Sequence, residues 1–166
     1  FDHAWVKAYD VPVTETASLD PERVMDGRWE SGPHGWVASE GKGNRTLLLG
    51  PQVAAPFRIE LEVTLAPHPD HGRVGDISIL LNATSKETYW RSGYALTTGS
   101  YWNHCTTFYR LGSAMARTEL SPVVPGQTHQ VVLEYDGGHI RYWLDGQIIL
   151  ETWDPNPLAM DRSRWI

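Results

Sequence analysis

The chain has 166 residues, 41% of them hydrophobic and 20% charged, with a formal net charge of −6. That size and balance suit one domain able to bury a core without disulfides or metals. The acidic excess and the lack of any Lys/Arg block argue against nucleic acid and anionic membranes as partners, and a single cysteine, Cys105, excludes an internal disulfide.

No apolar run approaches the ~20 residues of a membrane helix, and no charged region followed by an apolar one opens the chain, so it reads as soluble. It starts at Phe1 rather than Met, which leaves room for a removed export signal. Residues 1–34 have weak periodicity and several prolines and glycines, and are expected to wrap the edges of a single domain spanning residues 1–166. Within them residues 20–26 are the best helix, one or two turns, with Asp20 as cap and Pro21 in the first turn. Strands are expected near 35–40 and 45–50. Over 57–65, Phe57, Ile59, Leu61, Val63 and Leu65 alternate with Arg58, Glu60, Glu62 and Thr64, the pattern of a strand with one wet face. After a loop at 66–75 come strands near 75–82, 93–98, 105–111, 115–120, 128–136, 139–145 and 147–153, with a further loop at 84–92. Regular strand spacing with Gly, Pro and Asn turns indicates an antiparallel β-sandwich with little helix.

The last three strands can be paired by parity, because side chains alternate faces and a hairpin loop must keep apolar residues together. Val131, Leu133 and Tyr135 join Ile140, Tyr142 and Leu144 across a two-residue loop, either Asp136-Gly137 or Gly137-Gly138. Continuing the apolar set through Ile148 and Leu150 requires an odd loop, read as three residues containing Asp145-Gly146. The opposite face then holds Glu134, His139, Arg141, Trp143, Ile149, Glu151 and Trp153, with Arg141 opposite or diagonal to Glu134 and Glu151. Such cross-strand charges help fix register.

Residues 88–110 are the densest aromatic stretch, and a binding cleft needs apolar walls with a few placed polar groups. The candidate ligand-binding residues are therefore Asp76, Trp90, Tyr94, Trp102, His104 and Arg110. His68, Asp70 and His71, followed by Asp76, bring together ligand types for a divalent metal such as calcium, though Pro69 between them suits a turn equally well. No catalytic set emerges. There is no G-x-S-x-G elbow, Cys105 and His104 are strand neighbours that point to opposite faces, and Glu60 with Glu62 belongs to a solvated face. The E-x-D-x-x-E arrangement of laminarinase-like jelly rolls is absent. Residues 117–120 and 127–129 match in letters two signatures of jelly-roll alginate lyases, but they sit too close together to be separate strands of that groove.

The succession RVGDISILLNA, SGYALTTG, TTFYRLG and THQVVLEYDGGHIRYWLDGQIILETWD resembles the concanavalin A-like lectin/glucanase superfamily, most nearly its bacterial 3-keto-disaccharide hydrolase-type and YesU-like domains. The resemblance covers roughly residues 28–166. It implies a jelly-roll sandwich whose concave face handles oligo- or polysaccharides, as in polysaccharide utilisation. The activity implied is carbohydrate binding or processing; if the chain is an enzyme, it is a glycoside hydrolase or polysaccharide lyase. The alternative is a noncatalytic assembly subunit or domain of a larger polysaccharide-degrading enzyme. Relatives continue past the D-x-x-P-L segment, here 154–158, with a closing strand. The expectation is that this strand is missing, supplied by the N-terminus, or contributed by a partner at an open sheet edge or in a homo-oligomer.

Overall fold

The computed structural model describes residues 24–32, 35–39, 47–48, 55–67, 72, 75–82, 91–120 and 123–160. These form strands β1 (Val24–Asp26), β2 (Arg28–Gly32), β3 (Gly35–Ser39), β4 (Leu47–Leu48), β5 (Phe57–Thr64), β6 (Ile77–Leu81) and β7 (Tyr94–Gly99), then a one-turn helix α1 (Ser100–Asn103). Strands β8 (Cys105–Arg110), β9 (Ser113–Thr118), β10 (Thr128–Asp136), β11 (His139–Leu144) and β12 (Gln147–Trp153) follow. Two four-stranded sheets, ordered β12-β11-β10-β5 and β6-β7-β8-β9, carry the core, and β1-β4 and β2-β3 form two-stranded sheets. All pairings between these strands are antiparallel. The architecture is a jelly-roll β-sandwich.

Alternation fixes which face each strand buries. On β5, Phe57, Ile59, Leu61 and Val63 turn to the core while Arg58, Glu60, Glu62 and Thr64 are exposed. From the facing sheet come Ile77, Ile79, Leu81, Tyr94, Leu96 and Phe108, which meet Val131, Leu133, Tyr135, Ile140, Tyr142, Leu144 and Leu150. Each such side chain contributes about 1.5–3 kcal/mol when fully buried. Tyr94 and Tyr135 lie 5.9 Å apart between ring centroids across the sandwich, and Thr98 donates to the Tyr142 hydroxyl at 2.9 Å. The core thus joins the two sheets by rings and hydroxyls as well as by aliphatic packing.

The β10-β11 turn is Gly137-Gly138, with Asp136 paired to His139 and both glycines at positive φ. The β11-β12 connection departs from the three-residue loop expected from parity. Leu144 pairs directly with Gln147 around Asp145-Gly146, both at positive φ, in a two-residue turn. Parity is restored instead by a β-bulge, because Trp143 pairs with Ile148 and Tyr142 with Leu150. Ile149 is therefore the extra residue and is buried, whereas Ile148 is exposed, the reverse of their expected faces. Residues 24–26 of the expected helix form β1, paired to β4, because backbone pairing outcompetes a turn-length helix; residues 20–23 lie outside the described residues. The helix that does form, α1, follows Gly99 at φ 93 and has no side-chain cap, so it carries no sequence signal of its own.

Candidate functional site

Two of the expected ligand residues are committed to the protein's own chain. Tyr94 is fully buried, and its hydroxyl donates to Asp154 Oδ2 at 2.7 Å while accepting from the Leu158 N–H at 2.9 Å. Arg110 Nε donates to the same Asp154 oxygen at 2.8 Å, and its guanidinium also donates to the Asn156 carbonyl at 3.0 Å. Asp154 Oδ1 accepts the Asn156 N–H at 2.9 Å. Burial drives the Asp154 carboxyl upward, but Tyr94, the Asn156 N–H and Arg110 outweigh it and hold the pKa below the usual value. Tyr94, beside that carboxylate, is pushed far above the ordinary phenol range, first by burial. These residues clasp the segment after β12. Tyr94 cannot reach a ligand, because its place in the register, between Leu81 and Arg110, turns it inward with Leu96 and Phe108.

The other expectations divide differently. His104 ends α1 and is exposed. Asp76 is exposed as a residue; loss of water around its carboxyl raises its pKa more than the nearby Ser100, at the start of α1, lowers it. Trp90 and the metal candidates His68, Asp70 and His71 lie outside the described residues, as does the side chain of Trp102. Among the described residues no group of three or more His, Cys, Asp or Glu side chains is gathered as metal ligands would be. His129, in one of the lyase-like stretches, is fully buried. Its Nε2 accepts from the Val124 N–H at 2.9 Å and its Nδ1 meets Asp145 at 2.7 Å, so it pins a loop.

The face of β6-β7-β8-β9 turned away from the core presents two rows. Ser78, Thr97, Thr107 and Arg117 pair in one, and Leu80, Ala95, Tyr109 and Ala114 in the other. Its centre, at Leu80, Ala95, Cys105 and Thr107, is buried, while Ser78, Thr97 and Tyr109 are half-buried and Arg117 is open. At the end of the first row Ser100 donates to Thr97 Oγ1 at 2.6 Å. Tyr101, from α1, is 62% exposed with φ 53, and the Arg117 guanidinium lies 5.3 Å from its ring centroid. Tyr109 is hydrogen-bonded to Tyr101; burial first, then that bond, keeps its phenol above the ordinary range and therefore neutral. An open ring, a cation and several neutral hydroxyls thus converge on one rim.

Tyr101 and Tyr109 lie within the aromatic stretch 88–110 and Arg117 within the stretch 117–120, but residue type alone does not single them out. Parity could have found Tyr109, since an inward Phe108 turns Thr107 and Tyr109 outward together. Tyr101 depends on α1 and had no such signal.

The fold is that of jelly-roll β-sandwiches. In particular, the chain is similar to the carbohydrate binding module CBM66 from Bacillus subtilis, with TM-score 0.61 and 15% identity over 86% of this chain and 83% of that one. It also aligns with the laminarinase catalytic domain from Thermotoga maritima MSB8, with TM-score 0.48 and 13% identity over 88% of this chain and 68% of that one. No family model matches the sequence, and no curated protein matches it. No helix among the described residues is long and apolar enough to cross a membrane.

Proposed function

We propose that this chain is a carbohydrate-binding domain that takes an oligo- or polysaccharide at the rim formed by Tyr101, Tyr109 and Arg117. The carrying observation is the Tyr101 ring, 62% exposed and backed by Arg117 at 5.3 Å. A saccharide ring has an apolar C–H face and a hydroxyl edge. The partial positive charge of those C–H groups suits the negative face of an aromatic ring, and the hydroxyls suit Arg117, Tyr109, Thr97 and Asp76. Arg117 offers donors, and Asp76 and the oxygen of the neutral Tyr109 phenol offer acceptors. The role as a binding module is supported by the shared fold with a protein named as a carbohydrate binding module, and by the resemblance of the sequence to saccharide-handling jelly-roll domains.

Binding without hydrolysis is favoured by the carboxylates. Glycosidic hydrolysis ordinarily needs two carboxyl groups across the bond. Of the described carboxylates at this rim, Glu119 is paired with Arg117 at 3.2 Å, leaving Asp76 beside Ser100. The test is a thermal-shift screen of oligosaccharides with the wild-type chain and Tyr101→Ala. A ligand held only by the folded state raises the melting temperature. At least one saccharide should do so for the wild type and fail to do so for the variant; equal shifts in both, or none in either, refute the site.

A further inference from the structure

The outer face of the β12-β11-β10-β5 sheet carries a feature that the Tyr101 rim does not use. Trp153 is 65% exposed and stands opposite His139. Trp143, half-buried on the same face, stands opposite Ile148, which is 46% exposed, and the Arg58 guanidinium lies 6.0 Å from its ring centroid. Indoles are normally largely buried, so an open one is the informative observation. His139 and Trp143 are four residues apart along β11, so the two indoles are separated by roughly 13 Å along the strand and roughly 5 Å across it.

Between the indoles runs a row of charges, Arg58, Glu134, Arg141 and Glu151, paired strand to strand. Glu151 Oε1 accepts from His139 Nε2 at 2.8 Å and Arg141 Nε at 2.9 Å, and Glu134 accepts from Arg58 at 2.6 Å. From these features we infer a second saccharide surface, on which a neutral polysaccharide strand lies along β11 across Trp153 and Trp143. It is on the opposite side of the sandwich from Tyr101 and stands independently of that site.

Charge selects this occupant. A flat protein partner, including a second copy of the chain, would remove the whole ion-pair row from water, at a cost of several kcal/mol per ion. A saccharide instead keeps those groups hydrogen-bonded, through its hydroxyls and through bridging water. The face sets Arg58 and Arg141 against Glu60, Glu62, Glu134 and Glu151, an acidic balance that repels a polyuronate and accepts a neutral chain.

The test is affinity electrophoresis of the full chain through gels holding hydroxyethylcellulose, xylan, glucomannan, starch or inulin, with pectate as the anionic control. Wild type, Trp153→Ala, Trp143→Phe and Tyr101→Ala are compared, and circular dichroism confirms that each variant is folded. At least one neutral gel should retard the wild type, Trp153→Ala should lower that association constant at least fivefold, and pectate should not retard. Loss through Tyr101→Ala with Trp153→Ala unchanged upholds the rim site and overturns this one; loss through Trp153→Ala with Tyr101→Ala unchanged does the reverse. Retardation by no neutral gel overturns this second surface. A sedimentation dimer of the wild type that Trp153→Ala abolishes, without altered retardation, replaces the saccharide with a second copy.

Discussion

The Tyr94 hydroxyl donates to Asp154 Oδ2 at 2.7 Å, binding the middle of one sheet to the segment that leaves the other. Because that hydroxyl also accepts from the Leu158 N–H, Tyr94→Phe removes two bonds and leaves a backbone donor unmet. The expected loss is about 1–2 kcal/mol. Asp154→Ala leaves Arg110, the Tyr94 hydroxyl and the Asn156 N–H without their acceptor, and should lose about 3 kcal/mol. Urea unfolding checks both, with a lowered midpoint at unchanged slope.

Acid stability follows from three carboxylates. At Asp154 and Asp145 burial raises the pKa, but hydrogen bonds outweigh it: Tyr94, Asn156 N–H and Arg110 at the first, His129 and Gln130 N–H at the second. At Glu151 the hydrogen bond from Arg141 leads, burial opposes it, and His139 adds to the lowering. A depressed folded-state pKa means stability that is full above the unfolded carboxylate range and lost as pH falls through the folded values. Unfolding midpoints measured from pH 7 to pH 2 should fall in that window, and less steeply for Asp154→Asn. Asp76 carries the opposite sign. Its raised folded pKa opposes folding once it ionises, so Asp76→Asn should stabilise the protein at neutral pH.

Gly138 holds φ 95, and a Cβ there would lie 2.5 Å from the Asp154 carbonyl oxygen. Gly138→Ala therefore adds a clash with backbone to a left-handed conformation that itself costs about 1–2 kcal/mol. Gly126, at φ 75, has nothing within 4 Å of the same added atom. Gly126→Ala should show only the conformational cost, so the difference between the two melting temperatures isolates the close approach.

Much of the sandwich was legible in the sequence because period-two alternation states which face is buried. Phe57 to Val63 on β5 and the Glu134, Arg141 and Glu151 row are of this kind, and the latter three do stand directly opposite one another. The bulge at Ile149 was not legible, since an odd loop and a bulge correct parity equally well. The site was less legible still. Tyr94 and Arg110 look like ligand groups by type, and only tertiary contact with Asp154 reveals their use; Tyr101 becomes visible only once α1 turns it outward.

The Arg58 and Glu134 pair tests whether the charge row fixes register. Both side chains are partly screened from water, and they meet at 2.6 Å. A double-mutant cycle with Arg58→Ala and Glu134→Ala should give a coupling of about 0.5–1 kcal/mol that shrinks with added salt.

Saccharide binding by the β6-β7-β8-β9 face at the Tyr101 rim can be read residue by residue, by titrating the saccharide most effective in the thermal screen into 15N-labelled protein. Amide shifts are predicted to concentrate on Asp76, Thr97, Tyr101, Thr107, Tyr109 and Arg117, and to weaken at least tenfold in apparent affinity with Tyr101→Ala. A titration that leaves all six amides unmoved rules out saccharide binding at this rim.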